Sequence, residues 1–236
     1  MSTAIIKTLN LSSLARPRVF LNVSTFLLPL SLSLMTLLFT AGLYTALVSS
    51  PPDYQQGELV RMMYVHVPAS WMSLMVYGFV ALMSLIVLVW RHPMAEILAV
   101  SAVPIGALFT ALSLATGSLW GLPTWGTFWV WDARLTSVLA LLFFYGGYWL
   151  LYKGLGRGIR AASLLALVGL VNVPIIKGSV DWWNTLHQPA SIMRQGPMAV
   201  HETMLVPLFL MAGAYFFYFV SVLMKRAQTE LRVRKR

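Results

Sequence analysis

Cysteine is absent from the 236 residues, which excludes disulfides, thiolate metal sites and any thioether link between this chain and a prosthetic group. Charge is scarce: Asp, Glu, Lys and Arg make up 10% of the chain, where an ordinary soluble domain carries roughly a quarter. No P-loop is present, so the chain cannot couple nucleotide hydrolysis to work by itself. Neither H-E-x-x-H, a Ser/His/Asp set nor paired carboxylates occur, which leaves hydrolytic catalysis without support. Low-complexity tracts and internal repeats are also missing.

What is abundant is apolar sequence, at 58% of residues. It is spread evenly over 19–224 with no polar stretch long enough to build a second core, so residues 1–236 read as a single membrane domain. A bilayer core needs about 20 apolar residues per helix. Six runs qualify, near 21–48, 66–89, 96–115, 136–152, 161–176 and 202–224. The fold class predicted is an all-α integral membrane protein, a bundle of six transmembrane helices with an external tryptophan-rich loop at 116–135. The basic N-terminal stretch imitates a secretory signal, but the run at 19–48 is too long for a signal core and reads as an uncleaved first helix. The third run contains Pro104 and Gly106, and the fifth is short, so kinking or extension by polar neighbours is expected in both.

The formal net charge of +10 would suit nucleic acid if the basic residues formed one patch. Instead they fall between the apolar runs. With six spans, thirteen of the seventeen lie on one side, and Arg61, Arg134, Lys177 and Arg194 remain for the other. Cytoplasmic loops are enriched in Lys and Arg, so both termini of this multi-pass membrane protein are predicted to be cytoplasmic. The basic tail then serves topology and attraction to the lipid bilayer, and no nucleic acid partner is expected.

The three outer segments, 49–65, 116–135 and 177–201, hold six of the nine tryptophans: Trp120, Trp125, Trp129, Trp131, Trp182 and Trp183. A belt of interfacial tryptophan would be shared among all helix ends, whereas these cluster in two loops. If the chain is helical from Thr124, then Trp125, Phe128, Trp129 and Asp132 share one face and form an aromatic shelf ending in a carboxylate. Glycines and Pro123 are expected to stop the preceding helix before that point. Such a shelf suits a large planar apolar ligand, a porphyrin or a quinone alike.

Histidine narrows the choice, because neutral imidazole is the usual axial ligand of haem iron. Of the four histidines, His66, His187 and His201 fall on the outer side, while His92 precedes Pro93 in an inner loop. His66 and His187 lie beside aromatics at the membrane surface and would supply both axial positions of a haem resting on the shelf. His201, followed by Glu202, reads better as the start of the last helix.

The segment Trp125-Gly126-Thr127-Phe128-Trp129-Val130-Trp131-Asp132 resembles the tryptophan-rich signature of the haem-handling superfamily. Asp53-Tyr54-Gln55-Gln56-Gly57, His66-Val67-Pro68-Ala69, Asp132-Ala133-Arg134-Leu135 and the run from Trp182 to Gln188 extend the likeness to the cytochrome c maturation protein C family over nearly the whole chain. Phe128 departs from the signature, which carries tryptophan there in some members, but stacking survives the change. The resemblance implies haem b held non-covalently by His66 and His187 over the tryptophan loop (Trp120, Trp125, Phe128, Trp129 and Trp131, with Asp132) on the periplasmic side. It implies haem transfer to a periplasmic haem chaperone during c-type cytochrome biogenesis, with promotion of covalent attachment on that acceptor as an added role. An ATP-binding-cassette (ABC) transporter's membrane and ATPase subunits and a small single-span membrane subunit are the further partners implied. Arg134 and Arg61 are candidates for pairing with the propionates, and Asp132 for orienting either the loop or a ligand. The rival readings are a b-type membrane cytochrome in electron transfer and a transporter of a planar metabolite. The spans carry almost no charge beyond Glu96, which disfavours the second.

Overall fold

The computed structural model describes residues 15–154, 158–188, 192 and 200–234. In hydrocarbon every backbone N–H and C=O needs an internal partner, so each apolar run closes into a helix. Helix α1 (Pro17–Tyr44) runs on through a π-helical turn at Thr45–Ser49. A 3₁₀ turn, Glu58–Met62, leads into α2 (Met63–Trp90), and α3 (Pro93–Trp125) follows after a two-residue link. Helix α4 (Ala133–Trp149) ends in a second π-helical turn, Leu150–Gly154. One span is made of two helices, α5 (Gly158–Leu170) and α6 (Asn172–Trp182), and α7 (Glu202–Val233) completes the bundle.

Among the described residues six helical stretches are long and apolar enough to cross a bilayer, as the sequence predicts, and each exceeds the apolar run that announced it. The added residues are caps and interfacial turns. Pro17 and Pro93 take the first helical position, where a missing N–H costs nothing, and the His92 imidazole caps α3 by accepting from the Met94 amide at 3.2 Å. The fifth run grows from 161–176 to Gly158–Trp182 by taking in polar residues. The third shows the largest discrepancy, for α3 passes through Gly117, Gly121 and Pro123 instead of stopping at 115. It ends at Gly126, whose φ of 78° is the left-handed conformation that glycine adopts without penalty. The first part of the expected 116–135 loop is therefore helix.

Helices α2 and α3 pack along one another at the centre, α4 and α5 lie against them, α6 packs on α4, and α1 leans on α7 at the edge. Without a hydrophobic force between helices in lipid, small residues and interhelical hydrogen bonds hold the contacts, the bonds at ~0.6 kcal/mol each on average. The pairs Ser31–Ser221 at 2.6 Å and Gln228–Ser24 at 2.9 Å join α1 to α7, and Ser70–Ser113 at 2.6 Å joins α2 to α3. Tyr145 of α4 is fully buried and donates to the Ser73 carbonyl of α2 at 2.8 Å. A Cβ at Gly106 would lie 2.2 Å from that Tyr145 ring. Gly106→Ala is thus expected to destabilise the bundle by ~1–3 kcal/mol, read from unfolding in graded denaturing detergent. An unchanged midpoint would mean that α3 and α4 can slide apart freely.

Succession of the spans puts Arg16, Arg18, Arg91, Lys153, Arg160, Lys225, Arg226, Arg232 and Arg234 at one end. There Arg234 bonds Glu96 at 2.6 Å and the Tyr152 hydroxyl at 2.7 Å, joining the end of α7 to α3 and to the turn after α4. Lys7, Arg157, Arg194, Lys235 and Arg236, counted in the orientation argument, lie outside the described residues.

Candidate functional site

At the opposite end a cavity of about 1270 Å³ opens between α2, α3, α6, the start of α7 and the segment after α1. Small-molecule sites usually enclose about 300–1,000 Å³, so this one admits a ligand of macrocycle size. His66 and His187 both line it.

His66 is on the first turns of α2, facing α3. Its Nδ1 is 3.0 Å from the Thr116 hydroxyl, which donates its own proton to the Leu112 carbonyl at 2.7 Å. The hydroxyl is then an acceptor, and Nδ1 of His66 carries the proton. The ring fits because Gly117 has no side chain: a Cβ there would come within 3.0 Å of His66 Cε1. Trp120, one turn further along α3, meets the imidazole edge-on with centroids 5.8 Å apart, and its indole N–H is tied to Gln56 at 2.8 Å.

His187 follows the end of α6 and depends on Asp132. That carboxylate caps α4 by accepting from the Leu135 amide at 2.8 Å through Oδ1. Its Oδ2 accepts from His187 Nδ1 at 3.0 Å and from the Thr185 hydroxyl. Thr185 in turn accepts from the His187 amide at 3.2 Å, which closes the turn on itself. A carboxylate only accepts, so Nδ1 of His187 is protonated as well. Trp125 stands against this imidazole with centroids 4.8 Å apart at 63°.

Burial disfavours the charged form of His187 and outweighs the bond to Asp132, so its pKa falls below the usual histidine value and the ring stays neutral. The contact with Asp132 is a hydrogen bond from Nδ1 to a carboxylate oxygen. For Asp132 burial pushes upward, but the bonds from Thr185, the Leu135 amide and His187 prevail and hold the acid below its ordinary range. Among the described residues neither Nε2 has a hydrogen-bond partner. The site thus provides two neutral imidazoles, each with its lone-pair nitrogen unengaged, on a cavity with aromatic walls. This donor set fits an iron porphyrin.

Of the residues singled out from sequence, His66, His187, His201, Trp120, Trp125, Trp182 and Arg134 line the cavity. Phe128, Trp129, Trp131 and Asp132 do not. The expected helical face through Trp125, Phe128, Trp129 and Asp132 does not form, because Gly126 ends the helix and the following residues run as loop until Ala133. The aromatic face lies one to two turns earlier: Ser113, Gly117, Trp120, Gly121 and Thr124 follow helical spacing along the cavity wall. Phe128 and Trp131 are 53% and 76% exposed, and Trp129 packs edge-on against Trp131. Trp182 lines the cavity mouth and meets Trp183 edge-on.

Arg134 bonds Ser179 at 3.2 Å and the carbonyls of Ile176 and Lys177 at 3.3 Å, pinning α6 to α4. Arg61 pairs with Glu58 and donates to the Ala46 carbonyl, and it does not line the cavity. His201 caps α7 on Thr203, and His92 is at the far end of the bundle. Thr116, Gly117, Gly121 and Thr185 escaped the sequence reading. The first three had a signal, small residues beside an aromatic at helical spacing, that becomes visible once α3 is carried through 125.

The Heme exporter protein C family matches residues 10–236. Three relatives of that name are similar over most of their length. The protein of Bradyrhizobium diazoefficiens is 47% identical over 96% of this chain and 87% of its own. That of Haemophilus influenzae is 42% identical, over 92% and 89% respectively. That of Escherichia coli K12 is 44% identical, over 78% and 77%.

Proposed function

The chain belongs to the Heme exporter protein C family, and from that premise we propose that it binds haem b at the periplasmic membrane surface and passes it to a periplasmic haem chaperone. It is a haem-handling membrane component of cytochrome c biogenesis, a delivery component and not a classical enzyme. The observation that carries the finer reading is the pair of imidazoles, both tied through Nδ1, on one large cavity. His66 and His187 supply the two axial bonds through Nε2 without covalent attachment, and Trp120 and Trp125 fix the rings in plane and height. Arg134 and Lys177, both on the cavity wall, are the cations nearest to hand for propionates.

The location of the site supports a carrier over an electron-transfer cytochrome. The cavity opens at the end of the bundle opposite the basic residues, and His187 stands on the turn beyond α6, where a ligand can leave. The exposed indole of Trp182 on the cavity wall, with Trp183 beside it, leaves an aromatic edge for an acceptor to approach. Both termini are assigned to the cytoplasm from the basic residues at the opposite end. An ABC transporter's membrane and ATPase subunits and a small single-span subunit complete the export assembly.

Purified protein titrated with haem is expected to give a six-coordinate, low-spin spectrum at one haem per chain. Mixing it with a soluble apo-acceptor should then move the haem across. A five-coordinate spectrum, or haem that stays in place at every acceptor concentration, would count against this reading.

A further inference from the structure

The two halves of the site are built differently behind the metal-facing nitrogen. The His66 imidazole rests on a neutral hydroxyl, Thr116, whose proton is already spent on the Leu112 carbonyl. The His187 imidazole rests on a carboxylate whose other bonds, from the Leu135 amide and Thr185, lock it to the start of α4. A carboxylate partner draws the Nδ1 proton toward itself and raises the basicity of Nε2 far more than a hydroxyl does. Resting on the haem reading above, we propose that His187 is the fixed axial ligand, with Asp132 as its positioning residue, and that His66 is the position at which the iron exchanges ligands on transfer. In that exchange the bond from His66 Nε2 breaks as a donor lone pair from the acceptor takes its place. No proton or electron has to move.

The backbone alone would suggest the reverse, since His66 is on a helix and His187 on a turn. The Thr185–Asp132 bonds compensate, fixing the turn from both the main chain and the side chain. Behind His66 stand only neutral groups, the Thr116 hydroxyl and the Ser113 carbonyl, with Gly117 and Trp120 against the ring.

The test uses the full chain in detergent, loaded with haem, as wild type, Asp132→Asn and Thr116→Val. Asparagine keeps the helix cap and removes the charge, and valine keeps the shape and removes the hydroxyl. Two quantities are read: the reduction potential, and the rate of haem loss to excess apomyoglobin. Asp132→Asn should raise the potential and speed loss by roughly 10–100-fold, while Thr116→Val shifts both by less. Equal shifts in the two variants, or a larger one in Thr116→Val, would overturn the assignment. Should Asp132→Asn fail to fold, His66→Ala and His187→Ala in excess free imidazole decide the matter. His66→Ala should hold haem longer, and the opposite order refutes the proposal. A wild type without a bis-imidazole spectrum would instead bring down the haem reading itself.

Discussion

Replacement of either His66 or His187 by alanine is expected to abolish the low-spin six-coordinate spectrum and to weaken haem binding by more than the roughly 10–100-fold typical of changes behind a ligand. Each substitution removes a direct iron bond and leaves the rest of the cavity wall in place. The effects on the protein itself should differ. His187→Ala takes one of three donors from the buried Asp132 carboxylate, which keeps the Leu135 amide and Thr185, so the cap of α4 survives. His66→Ala leaves Thr116 bonded to its own helix and costs the fold little. Free imidazole should restore six-coordination in both single variants, which a general loss of folding would not permit. Absorbance of haem-titrated protein with and without imidazole is the measurement. Full retention of the low-spin bands in both variants would reject axial ligation by these residues.

The span count and the basic end were legible because both follow from composition, which the bilayer reads almost residue by residue. The length of α3 was not. Gly117, Gly121 and Pro123 each disfavour helix in water, but in a bundle a glycine admits a neighbouring ring: a Cβ at Gly117 would lie 3.0 Å from the His66 ring of α2. A local propensity was overridden by tertiary contact, and the true stop, Gly126, lies a few residues on. Reading the stop too early moved the aromatic face from Trp120 and Trp125 to residues 125–132.

That displacement also changes what the indoles do. From the sequence they form a platform under a planar ligand. In the structure Trp120 and Trp125 each meet one histidine edge-on, so they serve first to orient the two imidazoles. The histidines themselves were recognisable from residue type and from their position beside aromatics. The role of Asp132 was not, because its partners Thr185 and His187 are more than fifty positions away and converge only through the fold.

Gly117→Val should impair haem binding almost as severely as loss of a ligand, although position 117 offers no donor. Helix propensity alone predicts a benign or stabilising change, since glycine within a helix costs about 0.8–1.0 kcal/mol against alanine. Packing points the other way for the site. The Cβ would sit 3.0 Å from His66 Cε1 and 3.9 Å from Nε2, and the γ-methyl groups of valine reach further toward the ring or the cavity. The ring must tilt, which breaks its bond to Thr116 or re-aims Nε2 within the cavity. Haem affinity is expected to fall about 10–100-fold, read by haem titration. Gly78→Ala is the matched control on α2, because a Cβ there meets no atom within 4 Å and should leave haem binding unchanged. Equal haem affinity in Gly117→Val and wild type would mean that His66 does not approach the iron from the α3 side. The anchored ring would then be a packing element, and the second axial bond would have to come from elsewhere.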